Sequence, residues 1–335
     1  EIGGWAFKGP PYFETLTDEF VIAGDGILLR YNGDETTVRI PAGVKYIAGF
    51  GEAAAAIAEG LHEEGAENLI CFDAMQNDPR FTEKLEAKRA KAHARRKQTP
   101  ADLCREADIV ISAVPSGFAL SAAKEAVPGL TKGTIYVDVS TATPAEKKRI
   151  SALVEEKGGA FVDGAMMGTL LKDRHQVPTL CCGSGARDYI AKMEPYHMRL
   201  SYVEGEPGTA TSIKFIRSIT AKGLSCLLFE SLQAAQRYGV QDTIVESFLD
   251  SFGPGFEKII NGYVSGAIIH ADRREHEMQN VVDFLKEENL PCTMAEATRE
   301  KLAWIRDSGI KDRFPKGEVG RTWQAVLDGW GVNET

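Results

Sequence analysis

From Val44 to Ser184 short apolar runs alternate with longer amphipathic ones. VKYIA precedes a helix-like stretch over 52–64, NLICFD one near 79–97, DIVISAV one over 118–127, and GTIYVDV one over 144–157. AFVDGAM then leads into a loop, and PTLCCGS is a further short run. Strands that alternate with helices predict βαβ units and a parallel sheet. After about Gly208 the strand pattern stops. A long helix over 208–238 is expected there, broken by Gly239, with others near 241–250, 254–269, 271–288, 293–307 and 318–330. Ahead of Val44 the chain differs again. FVIAGDGILLRYNGDETTVRIPAGV alternates apolar and polar residues, and Gly24-Asp25-Gly26 and Asn32-Gly33-Asp34 punctuate it as tight turns.

Composition narrows the function classes. The net charge of -9 argues against a nucleic-acid or anionic-membrane partner. No apolar run approaches the ~20 residues that span a bilayer. The first residues show no cationic segment leading an apolar one, and no signal peptide is read there. The six cysteines form no C-x-x-C pair and most sit in apolar surroundings, which suits free buried thiols and no metal site. The basic run Lys84–Lys97 reads as a solvated helix face.

Gly49-Phe50-Gly51-Glu52-Ala53-Ala54 fits G-x-G-x-x-A between the first strand-like run and its helix. The first glycine permits the turn, the second lets backbone approach a pyrophosphate, and the small third position lets helix lie close on strand. Backbone N–H groups at the helix N-terminus then face phosphate. Asp73 ends the next strand, where a carboxylate binds the ribose hydroxyls and favours NAD over NADP. Arg80 and the basic run beyond it keep NADP open. In open parallel sheets ligands sit at the strands' carboxyl ends. Val114, Pro115 and Ser116 end one strand, and Ser140, Thr141 and Thr143 follow another. Ser140 and Thr143 have helix capping as an alternative role. The expected architecture is an α/β Rossmann-type parallel-sheet domain over 44–207, an all-α domain over 208–335, and a short β-rich extension over 1–43.

With GFGEAA, AVPS, VDVSTATP, VDGAMMG and GTATSIKFIRS in order, residues 44–290 resemble the β-hydroxyacid dehydrogenase superfamily. That superfamily includes 3-hydroxyisobutyrate dehydrogenase, tartronate semialdehyde reductase and 6-phosphogluconate dehydrogenase. The segment His270–Met278, HADRREHEM, is closer to a branch of phosphogluconate-dehydrogenase-like proteins with a C-terminal domain of unknown function. The resemblance implies hydride transfer between a nicotinamide and a small 3-hydroxy acid, a helical-domain homodimer, and a catalytic lysine at Lys214. A lysine near a helix start is tuned for acid–base work by desolvation and the positive helix terminus. Two departures stand out. Ser218 holds the place of the family's asparagine, next to Arg217, and the substrate loop reads Ala165-Met166-Met167-Gly168-Thr169 where the family has Ser-Gly-Gly. Ser218 still hydrogen-bonds to a substrate, with fewer fixed donors. Met167, Gly168, Thr169 and Arg217 are the expected substrate contacts. The departures leave imine or enamine reduction, and a non-catalytic cofactor-binding protein, as alternatives.

His270, Arg273, Arg274 and Glu277 fall at i, i+3, i+4 and i+7, one face of a helix. Two arginines and a histidine there clamp a carboxylate or phosphate, or else form a salt-bridged surface with Glu277. The front segment resembles a module of a bacterial surface leucine-rich-repeat family, through Ala6-Phe7-Lys8-Gly9 and Ile40-Pro41-Ala42-Gly43-Val44-Lys45-Tyr46-Ile47. One such repeat does not bury a core alone, so an interaction role for the segment is expected.

Overall fold

A computed structural model describes residues 51–168, 170–314 and 321–330, with the backbone of three earlier strands, β1 (Phe20–Ala23), β2 (Ile27–Arg30) and β3 (Thr36–Ile40). Gly49, Phe50, Thr169, the run VKYIA and most of the repeat-like signatures lie outside the described residues. The chain divides into two compact units, 1–212 and 213–335.

In the first unit α1 (Glu52–Glu63) leads to β4 (Ile70–Phe72), and α2 (Pro79–Lys91) to β5 (Arg95–Arg96). Next come α3 (Pro100–Glu106) with β6 (Ile109–Ala113), α4 (Ala119–Ala126) with β7 (Ile135–Asp138), and α5 (Pro144–Glu156) with β8 (Ala160–Met166). A short α6 (Leu170–Asp173), β9 (Thr179–Cys182), α7 (Ala186–Met193) and β10 (Leu200–Tyr202) complete it. One eight-stranded sheet has the order β10-β9-β8-β7-β6-β3-β4-β5. Strands β6, β7 and β8 are parallel. Both β4 and β6 run antiparallel to β3, and so parallel to each other. The register sets Phe72, Ser112, Asp138 and Asp163 level across the sheet, with Thr37 between the first two.

Local chemistry explains these elements. All five residues of β6 are buried, as expected of a parallel strand covered on both faces. Helix α5 starts with a reciprocal capping box between Thr143 and Glu146 and has Pro144 in its first turn. Of the two hydroxyls read as possible caps, Thr143 is the cap and Ser140 is not. In α1 the small residues Ala54, Ala58 and Gly60 are buried along with Ile57 and Leu61, so the helix lies close on its neighbours.

Two sequence expectations need correction. The slot between β4 and β6 holds β3, so the segment read as a separate extension contributes a sheet strand, antiparallel to both neighbours. Its Thr-Thr-Val-Arg-Ile sequence has the β-branched residues that suit a strand. The basic run is helix only to Lys91; His93 then turns the chain at φ 49° and Arg95–Arg96 pair as an edge strand with Ile70 and Cys71. Helices α3, α6 and α7 and strand β10 had no clear periodic signal, being 7, 4, 8 and 3 residues long.

The helical unit matches its sequence pattern closely. Helix α8 (Thr209–Tyr238) begins in the first unit and continues as the first helix of the second. Then follow α9 (Gln241–Phe252), α10 (Phe256–Ile269), α11 (Ala271–Glu287), α12 (Thr293–Asp307) and α13 (Trp323–Trp330). Gly239, at φ 69°, ends α8 with the left-handed conformation that glycine accepts at least cost. Phe229, Leu232, Ile260, Val264, Ile268 and Val326 anchor one core, and Phe215, Met278, Val282, Leu285 and Leu302 another. No helix among the described residues is long and apolar enough to cross a membrane.

Candidate functional site

Because β4, β6, β7 and β8 run the same way in register, their carboxyl ends open on one edge of the sheet. Asp73 follows β4; Val114, Pro115 and Ser116 follow β6; Ser140 and Thr141 follow β7; Met167 and Gly168 follow β8. Among the described residues, these strand-end residues therefore share one edge. Asp73 is 3% exposed, and its Oδ1 accepts from Met75 N at 2.7 Å, which fixes the carboxylate at the strand end. Gly51 is the N-cap of α1, Glu52 is exposed, and Ala53 and Ala54 supply the small residues the turn needs. A buried carboxylate, a helix N-terminus and strand-end hydroxyls on one edge are a donor set that fits a dinucleotide. Ser140 contributes less than expected. Its hydroxyl lies 3.1 Å from Asp138 Oδ2 and accepts from Ala142 N at 3.2 Å, so it is spent inside its own turn.

A charged network lies beneath that edge that the sequence reading missed. Lys147 on α5 is fully buried, as are Asp138 and Asp163. Its Nζ donates to the Asp138 carbonyl at 2.7 Å and lies 3.1 Å from Asp138 Oδ2 and 3.3 Å from Asp163 Oδ1. Burial opposes charge on Lys147, but the two aspartates outweigh it and hold its pKa above the ordinary lysine range. Asp163 also accepts from Gly208 N at 3.1 Å, Thr211 N at 2.9 Å and Thr211 Oγ1 at 2.6 Å. A strand carboxylate thus caps the first turn of α8, satisfying N–H groups that a helix start leaves unpaired. The one sequence signal was a lysine at a position that helix periodicity turns inward.

The helical unit gathers the remaining predicted residues. Lys214, Arg217 and Ser218 lie on α8, Arg273, Arg274 and Glu277 on α11, and His270 at the junction of α10 and α11. Lys222, not singled out from sequence, stands 3.0 Å from Glu277 Oε2, while Arg273 is 3.8 Å from Oε1. Burial opposes the Glu277 charge, yet Lys222, Arg273 and Lys214 hold its carboxyl down to about 2. Arg274 donates to Ser225 Oγ at 3.1 Å, and its guanidinium passes close to Gly266, where a Cβ would sit 2.7 Å from Nη2. Burial, with Arg273 and Arg274 adding to it, pushes the His270 imidazole down to about 4. The face is strongly cationic around one carboxylate, while Arg217 is exposed. Among the described residues, no group of three histidine, cysteine or carboxylate side chains could hold a metal ion.

Comparisons with known proteins bear on the fold and the cofactor. Residues 48–200 match the NAD binding domain of 6-phosphogluconate dehydrogenase, and residues 235–305 match a domain of unknown function, DUF1932. An uncharacterized 28.5 kDa protein of Methanothermus fervidus is 27% identical over 259 residues, covering 77% of this chain and 97% of that one. A conserved protein of unknown function, whose solved structure reveals similarity with 3-hydroxyacid dehydrogenases, is 29% identical with a TM-score of 0.65. That match covers 79% of this chain and 97% of the other. Human mitochondrial 3-hydroxyisobutyrate dehydrogenase is 29% identical over 100 residues, 29% of this chain and 30% of that protein. Residues 48–200 form a Rossmann-like NAD-binding domain, and with the helical domain that follows it the matched part of the chain resembles 3-hydroxyacid dehydrogenases in fold.

Proposed function

We propose that the chain is a NAD(P)-dependent oxidoreductase that moves hydride between nicotinamide and a small 3-hydroxy acid. The observation that carries this reading is the strand-end edge, where Asp73 lies buried after β4 in a segment that matches a NAD binding domain, and we assign its carboxylate to the ribose hydroxyls. The Asp73 carboxylate favours NAD over the 2′-phosphate of NADP. The dinucleotide, when bound, supplies the hydride donor or acceptor. Gly49, Phe50, Gly51, Glu52 and Ala53 hold its pyrophosphate, and Val114, Pro115, Ser116, Ser140 and Thr141 line its nicotinamide half, Ser140 through backbone. Lys214 gives or takes the proton at the substrate oxygen, and Ser218 hydrogen-bonds to the same oxygen. Met167, Gly168, Thr169, Arg217, His270, Arg273 and Arg274 hold the substrate carboxylate. A homodimer through α8, a cytoplasmic location and an interaction role for the first 43 residues complete the proposal.

Ser218 and the Ala165–Thr169 loop offer fewer polar groups than the resembling enzymes, which favours as a second reading imine or enamine reduction, or dinucleotide binding without turnover. Calorimetric titration with NADH and with NADPH, then a 3-hydroxy-acid and imine screen with the tighter cofactor, tests the set. NADH is expected to bind more tightly, and Lys214→Ala to keep that binding and lose turnover. Binding of neither dinucleotide refutes the proposal.

A further inference from the structure

Lys214, Ser218 and Lys222 stand at i, i+4 and i+8 on α8, one above another on one face. Lys222 Nζ donates to Ser218 Oγ at 2.8 Å and lies 3.0 Å from Glu277 Oε2. The lysine side chain is 12% exposed and the glutamate 22%, so the pair is far more shielded than a surface ion pair.

An ammonium only donates. A hydroxyl that accepts from one keeps its single proton for another acceptor. Helix serines and threonines often give that proton to the carbonyl one turn back. Examples among the described residues, each to the carbonyl four positions back, are Ser212 to Gly208 at 2.8 Å, Ser251 to Ser247 at 2.9 Å, Thr298 to Met294 at 2.7 Å, and Thr82 to Asp78 at 2.8 Å. Ser218 departs from that habit. Its hydroxyl oxygen faces Lys222 and its proton meets no acceptor among the described residues.

We propose that Glu277 and Lys222 are positioning residues that aim the Ser218 hydroxyl outward as a hydrogen-bond donor to the substrate oxygen, one turn beyond Lys214. The inference rests on the oxidoreductase reading. It assigns a role to two side chains that touch no reacting atom. Glu277 fixes the ammonium, the ammonium occupies the serine lone pair, and the serine proton is left for the substrate. An amide side chain carries two N–H donors of its own and needs no such orientation. A serine has one rotatable proton that the helix backbone otherwise captures. Because Glu277 stays ionised down to about pH 2, the chain of donors keeps one direction throughout the neutral range.

The test uses the full chain and the variants Ser218→Ala, Lys222→Met, Ser218→Asn and Ser218→Asn/Lys222→Met. Crystal structures of the wild type and Lys222→Met read the serine rotamer. The expected result is a Ser218 bond to the Lys214 carbonyl in Lys222→Met alone. NADH affinity by calorimetry is expected to be the same in all forms. With the 3-hydroxy acid that the wild type turns over, Ser218→Ala should lower kcat on the order of a hundredfold, and Lys222→Met about tenfold with KM little changed. The double variant should recover kcat to within about threefold of wild type, since asparagine supplies its own donors. A Lys222→Met defect that asparagine fails to rescue overturns the proposal, as does an unchanged serine rotamer. Dinucleotide binding by a wild type that turns over no 3-hydroxy acid overturns the assigned role. If no dinucleotide binds, the oxidoreductase reading itself fails, and an unaltered rotamer then also removes the positioning claim.

Discussion

Replacing Lys147 by methionine removes the cation that Asp138 and Asp163 share while keeping most of the length of the side chain. The hydrogen bond to the Asp138 carbonyl goes with it, so the loss is of charge and of a buried donor together. Two carboxylates that are 1% and 0% exposed then lie together with no counter-charge. Removing one partner of a buried pair costs about 3–5 kcal/mol, most of it the burden of the uncompensated charge. For a unit of about 200 residues each kcal/mol moves Tm by roughly 2–4 °C, so a fall on the order of 10 °C is expected. Thermal unfolding followed by circular dichroism at pH 8 and pH 5 reads it. The pH dependence carries a sign. Lys147 has a folded pKa above its ordinary 10.5, so its contribution is complete below that value and is lost only as pH rises past it. The wild-type pair is therefore intact at both pH values. Adding Asp163→Asn removes one of the two charges and should recover about 1–3 kcal/mol, because contacting groups couple on that scale. A Lys147→Met protein within about 1 kcal/mol of wild type at pH 8 would refute the reasoning, since a 3–5 kcal/mol loss is what an uncompensated buried charge requires.

Thr143→Ala removes the capping box of α5 and should cost about 1 kcal/mol, read as a lower urea midpoint with an unchanged slope. Asp73→Asn keeps an acceptor for Met75 N but loses the charge, and should weaken NADH binding about tenfold relative to NADPH in paired titrations. His270 is held down to about 4 in the fold, so the unfolded chain takes its proton first and stability falls as pH drops from 6.5 towards 4. His270→Gln should flatten the unfolding free energy against pH in that window, and an unaltered slope would show that another group governs it.

The parts legible in the sequence are those where one period repeats. The buried run IVISA and the seven residues AFVDGAM announce β6 and β8, and the helical unit appears nearly residue for residue through α12 because its periods are long. Elements of three to eight residues, such as α3 and β10, carry too few repeats to separate from loops. Strand pairing is a long-range property, so nothing local in Thr36–Ile40 said that it would lie between β4 and β6. The strand-end edge was readable because chain order and the parallel rule locate it without distances. The Lys147 network was not, since its partners come from positions 138, 163, 208 and 211 and only folding brings them together. Lys222 was passed over for a similar reason: a lysine on an amphipathic helix looks solvated until its neighbour across the bundle is known.

The seam between the two compact units falls inside α8, between Ser212 and Ile213, and not in a linker. The first turn of that helix is stabilised by Asp163, whose own lysine partner comes from α5. A gene fragment that starts at residue 213 would inherit a helix without its opening turn, and one that stops at 212 would keep a buried carboxylate guarding a stump. An exchange of the helical half that joins at the start of α8 has to preserve the pairing of Asp163 with the residues at 208 and 211, whereas a join inside the helix, after Thr211, keeps all three from one parent. The start of the helix is the poorer place to cut, although it is where the secondary structure changes.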